Sequence, residues 1–107
     1  MTTKDASQRA DVANVRDLVQ YQEGSIVSRT IVKRPSGSLT VFAFDASQAI
    51  SEHTVSYDAV VHVLEGEVEV TVGGRAHLVR QGELLLMPAD QPHALRAITR
   101  FKMALTT

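Results

Sequence analysis

The 107-residue chain reads as one all-β domain, a barrel or sandwich of about nine short strands. Three observations lead there. From Ser25 onward, Gly-, Pro-, Asp- and Ser-rich turn signals recur every ~8–12 residues. The intervals between them are rich in branched and aromatic residues, as in Ile26-Val27 and Val41-Phe42-Ala43-Phe44. The segment Glu67-Val68-Glu69-Val70-Thr71-Val72 alternates strictly, with valines on one side and Glu or Thr on the other, as a half-exposed strand does.

Residues 1–13 are polar and aperiodic and are expected to form a loose tail, leaving 14–107 as the single domain. Val15, Leu18 and Val19 fall at helical spacing, which predicts a short helix or turn closed by Gly24. Strands are then expected at 26–33, 39–44, 50–55, 59–65, 67–72, 75–79, 83–87, 93–98 and 100–105. Pro35-Ser36-Gly37-Ser38, Asp45–Gln48, Gly66 and Gln81-Gly82 separate them, and Pro88 ends the seventh. Gly73-Gly74 supplies two residues that accept positive φ, a two-residue hairpin signal.

The bulk composition narrows the function. The chain has no cysteine, so disulfides, thiolate metal sites and cysteine nucleophiles are excluded. Net charge is −1, and Lys33, Arg34, Arg75, Arg80, Arg96 and Arg100 are scattered as solvated surface charge. Neither a nucleic-acid surface nor an anionic-membrane surface is indicated. No apolar run approaches the ~20 residues of a membrane helix, and the N-terminus lacks the apolar core of a signal peptide. A cytoplasmic protein is the expectation.

Segments 39–44, 59–64 and 84–87 are apolar at successive positions, so both strand faces are apolar. One face fills the barrel and the other needs a cover. A second copy of the chain is the expected cover, giving a homodimer, with the N-terminal segment as the alternative over part of that surface.

All four histidines, His53, His62, His77 and His93, lie in the β region. Histidine is both a common metal ligand and a proton carrier. The stretch from His53 to Gly66, with Val63-Leu64-Glu65-Gly66-Glu67, resembles the first cupin motif, G-x5-H-x-H-x3–4-E-x6-G. Gly82-x5-Pro88-x-Asp90-x2-His93 resembles the second, G-x5-P-x-G-x2-H-x3-N. The resemblance covers about residues 39–105. It implies a double-stranded β-helix, a jelly-roll-like barrel of the RmlC-like cupin type with a cup-shaped pocket.

The family's metal site takes two histidines and a glutamate from the first motif and one histidine from the second. On this chain the resemblance retains His53 and His93. The other motif positions hold Val55 in place of histidine, Ala59 in place of glutamate and Ala97 in place of asparagine, while Asp90 stands in place of glycine. Two neutral imidazoles alone hold Fe, Mn, Ni or Zn weakly, so a divalent ion needs a third ligand. The candidates are Glu52, Asp58 and His77. A bulge near Tyr57-Asp58 would turn one of the first two inward.

The expected pocket is an apolar cup with His53 and His93 as its polar groups. Val55, Val61, Met87, Leu95 and Met103, with Phe42 or Phe44, are expected around it. His62 sits between valines and is assigned to packing or a dimer contact. Three readings stay open. The first is a small-molecule-binding cupin without demonstrated catalysis. The second is a metal-dependent enzyme of dioxygenase or isomerase type. The third is a structural or interaction module whose pocket is filled by its own side chains.

Overall fold

The structure, a computed structural model, describes residues 10–107; the first nine residues of the expected tail lie outside the described residues. The helix-or-turn signal resolves as one 3₁₀ turn, Val15–Leu18, capped by the Asn14 side chain accepting from Arg16 N. Nine strands follow: β1 Ile26–Arg34, β2 Gly37–Phe44, β3 Ala49–His53, β4 Ala59–Glu65, β5 Glu67–Val72, β6 Arg75–Arg80, β7 Leu84–Met87, β8 His93–Ala97 and β9 Phe101–Thr106.

These form two antiparallel sheets, ordered β1-β2-β9-β4-β7 and β3-β8-β5-β6. Every pairing except β1–β2 and β5–β6 joins strands that are not consecutive in sequence. The sheets therefore interlock as a barrel rather than stack as independent hairpins.

Alternation decides what each strand buries. In β4, Ala59, Val61 and Val63 are buried while His62 between them is exposed. The inward residues form one continuous core, including Phe44, Val61, Val63, Val68, Val70, Met87, Leu95, Phe101 and Met103. The Phe44 and Phe101 rings pack at 4.6 Å between centroids and anchor its lower half.

A second, smaller cluster lies on the outer face of the five-stranded sheet. Val19 is buried there against Val41 and Ala43, with Leu18, Tyr21, Val27, Ile31 and Leu64 around it. The N-terminal segment thus covers part of the outer face, as the sequence alternative allowed. Farther along the same face, Leu84 and Leu86 remain 66% and 50% exposed.

The segment is held by polar contacts as well. Tyr21 Oη donates to Glu65 Oε2 at 2.7 Å, and burial followed by this bond pushes the phenol pKa up. Lys102, only 6% exposed, donates from Nζ to Arg16 O at 2.6 Å, which compensates its burial. Arg100 donates from Nε to Asp45 Oδ1 at 2.8 Å, and Asp45 Oδ2 accepts from Gly24 N at 2.7 Å. These contacts gather the start of β1 and the β2–β3 and β8–β9 turns at one closed end of the barrel.

Gly66 turns the chain between β4 and β5 at that end with φ +78°. A Cβ there would collide with Arg100 O and the Phe101 Cα and Cβ. Two other positions adopt left-handed φ without glycine, Ser47 at 69° and Asp90 at 66°. Asp90 stands where the second cupin motif has glycine, and Ser47 where the first motif begins with one. Asp tolerates this region better than most residues.

Two predictions follow from this packing. Phe101→Ala should cost about 3–5 kcal/mol in urea unfolding, and Gly66→Ala should also destabilise, through the collision added to its positive φ. A loss below about 1 kcal/mol for Phe101→Ala would contradict the described core. The second prediction concerns acid. Arg100 first, then the backbone N–H groups of Gly24 and Ala46, hold the Asp45 carboxyl at about 2, below its ordinary 3.8. The folded value is depressed, so this stabilisation is present above the ordinary value and is lost as pH falls toward 2. Wild type should melt above Asp45→Asn at about pH 5, and the difference should shrink on acidification through that window. A pH-independent difference would contradict the assignment.

Candidate functional site

The barrel has an opposite, open end. Ala89 N donates to Asp58 Oδ1 and Asp90 N to Val55 O, so loop 88–92 is tied to loop 54–58. Gly73 N donates to Pro92 O, tying the β5–β6 hairpin to the same loop. The β1–β2 hairpin reaches this end too, because Gly37 opens β2 where Thr107 follows β9, and Ser38 and Thr107 exchange backbone bonds.

His53 and His93 meet at this rim. His53 is the last residue of β3 and His93 the first of β8, and antiparallel pairing sets them directly opposite each other. Their ring centroids are 4.2 Å apart, with planes at 67°, an edge-to-face contact. His93 is 4% exposed and lies on the inward face, one alternation above buried Leu95. His53 is exposed beside it.

Each ring uses Nδ1 in the same way. His53 Nδ1 lies 3.0 Å from Ser51 O, and His93 Nδ1 lies 3.4 Å from Gln91 O. A carbonyl only accepts, so each Nδ1 carries a proton. In the neutral ring Nε2 is then the acceptor, and no described residue hydrogen-bonds either Nε2. Two imidazole acceptors are thereby oriented by backbone carbonyls two residues upstream, one in β3 and one in loop 88–92, as backbone carbonyls orient ligating histidines.

The other named residues fall into place around the pair. Val61, Met87, Leu95 and Met103 are 0, 3, 4 and 1% exposed and belong to the continuous core, so they fill the barrel beneath the rings. Phe44 is buried in that core, and Phe42 packs against it half-buried. Val55 is half-buried in loop 54–58, where its carbonyl receives Asp90 N.

The three candidate third ligands do not join the pair. Glu52 is exposed on β3. Asp58 is exposed and engaged with Ala89 N. No bulge near Tyr57-Asp58 turns either carboxylate inward; β3 ends at His53, and the irregularity in its pairing lies between Ile50 and His53. His77 stands opposite buried Val70 on β6 and so faces inward. Two strand spacings, about 10 Å, separate β6 from β8, and His77 sits in the row of Leu95 rather than that of His93. Among the described residues no group of three or more His, Asp, Glu or Cys side chains is placed to hold a metal ion. The donor set present therefore does not fit a metal centre of the family's four-ligand kind. His62 lies exposed on the outer face, opposite Leu84 and Ala104.

One feature of the rim was not legible from composition. A cavity of about 300 Å³ is lined by Lys33, Arg34, Ser36, Ser38, Tyr57 and Thr107, among others. Scattered basic residues read as solvated surface, yet the pairing of Lys33 with Ser38 across the Pro35-Ser36 turn puts the lysine on the concave face. The sequence signal was the turn itself, whose register fixes which side Lys33 takes.

Comparison with known proteins agrees with this architecture. Residues 40–106 match the cupin domain family. A conserved protein of unknown function from Streptococcus pyogenes is 34% identical, with 99% of this chain and 93% of that one aligned at a TM-score of 0.88. A cupin 2 conserved barrel domain protein from Leptotrichia buccalis is 37% identical over 88% of this chain and 46% of its own, at 0.85. A cupin superfamily protein from Desulfitobacterium hafniense, 22% identical over 92% of this chain and 91% of its own, shares the fold at 0.87. No curated protein matches the chain.

Proposed function

The chain belongs to the cupin domain family, and from that premise we propose that it binds a small molecule at the open end of its barrel, against His53 and His93. One observation carries the proposal: two imidazoles at 4.2 Å, each with Nδ1 committed to a backbone carbonyl. Their Nε2 atoms are acceptors for a ligand hydroxyl, amide or protonated acid. The buried core below gives the ligand an apolar floor, so it rests at the rim rather than deep in the barrel.

A screen of small molecules by thermal shift tests this. A ligand at about 100 times its Kd should stabilise the protein by about 2.7 kcal/mol. His53→Ala, at an exposed position, should fold normally and lose most of that stabilisation. Hits that stabilise wild type and His53→Ala equally would remove the histidine pair from the site. A broad screen without hits would favour the structural module.

The metal-dependent enzyme reading requires a third ligand beside the pair. Protein made without a histidine tag and incubated with Fe, Mn, Ni and Zn is expected to retain well under one equivalent by elemental analysis. Near-stoichiometric metal that disappears in both His53→Ala and His93→Ala would establish that reading instead. We also propose a homodimer, with the second copy packed on the outer face at Leu84 and Leu86. A monomer in sedimentation velocity would dismiss it.

A further inference from the structure

We infer that the concave side of the β1–β2 hairpin is an oxyanion-binding subsite, and that the ligand is a small organic anion, a carboxylate or a phosphate ester. The inference rests on the proposal that ligand docks at the histidine end, and it names the ligand's class.

The inward face of the five-stranded sheet changes character toward the rim. In β2 the alternation runs Phe44, Phe42, Thr40, Ser38 from the core outward. In β9 it runs Phe101, Met103, Leu105 and on to Thr107. Beside them in β1, Thr30 faces Thr40, with their hydroxyls 3.4 Å apart, and Lys33 pairs with Ser38. Apolar filling thus gives way to hydroxyls and a lysine where the sheet outgrows the core.

The resulting hollow, about 300 Å³, has the volume of a small-metabolite site. Lys33 and Arg34 are among the residues that line it, and none of the described lining residues is Asp or Glu. The Ser38 and Thr107 hydroxyls lie 2.7 Å apart. One of them donates in that bond, so the other keeps its O–H for a third group. Tyr57, 52% exposed, adds a phenol from loop 54–58. Arg34 Nη1 donates to Lys33 O at 2.9 Å.

Cations and hydroxyl donors converging on one hollow are the complement of an oxyanion, because charge-assisted hydrogen bonds are the stronger kind. The histidine pair lies at the same end of the barrel: loop 54–58, which begins directly after His53, carries Tyr57 into the hollow. A ligand with an anionic group and a hydroxyl would answer both halves.

The test is an ¹H–¹⁵N NMR titration of the full chain with inorganic phosphate and, separately, with acetate. The expected result is saturable shifts of the Ser36, Gly37, Ser38, Tyr57 and Thr107 amides with at least one probe, weakening as salt rises. Lys33→Gln/Arg34→Gln, at exposed positions, should raise the Kd about tenfold or more, while His62→Gln, exposed on the outer face, leaves it near wild type. Preference for phosphate or for acetate selects the ester or the carboxylate. The inference is overturned if these amides do not move, or if the double variant binds like wild type. Shifts confined to His53, His93 and their neighbours would overturn it while leaving the histidine site standing; ligand hits insensitive to His53→Ala would do the reverse.

Discussion

Everything at the open end depends on one long-range contact, the antiparallel pairing of β3 with β8. His53 and His93 are far apart in the chain and have no local reason to meet. They meet because Ile50 and Leu95 pair on the inward face and both join the core cluster, which fixes the register of the two strands. Strict alternation from Ile50 would turn His53 to the opposite face; the irregularity between Ile50 and His53 absorbs one residue and sets His53 opposite His93, and each ring's Nδ1 reaches a carbonyl two residues before it in its own chain. A slip of one residue would turn Leu95 into solvent, so core burial protects the site geometry. Burying a leucine side chain contributes about 1.5–3 kcal/mol, more than an edge-to-face ring contact of about 0.5–1.5 kcal/mol. The core therefore imposes the histidine pair rather than the reverse.

The two ends of the barrel divide the work. At the closed end, Asp45, Arg100, Tyr21, Glu65 and Lys102 are paired with one another or with backbone, and they pin the N-terminal segment over the outer apolar cluster. At the open end, Lys33, Ser36, Ser38, Tyr57 and Thr107 are among the residues that line a hollow. The same sheet supplies both: its inner face is apolar from Phe44 to Phe42 and hydroxylic from Thr40 to Ser38. A barrel filled by its own side chains and open only at its rim suits recognition of a compact ligand, and loss of the carboxylate and second histidine of the first motif leaves acceptors rather than a ligand cage.

Much of the fold was legible because its signals are local. Turn residues and period-two patterning located nine strands within a few residues of their ends, and Glu67–Val72 matched its predicted limits. The third strand was read too long. Val55 continued the branched pattern past His53, but its carbonyl is spent on Asp90 N, a partner from a distant loop that no window of sequence displays. The histidine pair was reachable only through the motif resemblance. Its edge-to-face contact and the shared Nδ1 arrangement needed coordinates. Lys33 is exposed, as read, but its place on the concave side follows from pairing across the Pro35-Ser36 turn, with an irregularity between Thr30 and Val32 that shifts the register. Pairing of that kind is a tertiary property, and composition carries no trace of it.

The most direct measurement is a NOESY spectrum of the wild-type protein with the histidine ring protons assigned. Rings 4.2 Å apart between centroids predict strong cross-peaks between His53 and His93, together with a cross-strand contact between Ile50 and Leu95. Absence of the ring-to-ring peaks in a folded sample, or contacts that pair β8 with β3 in another register, would contradict the account.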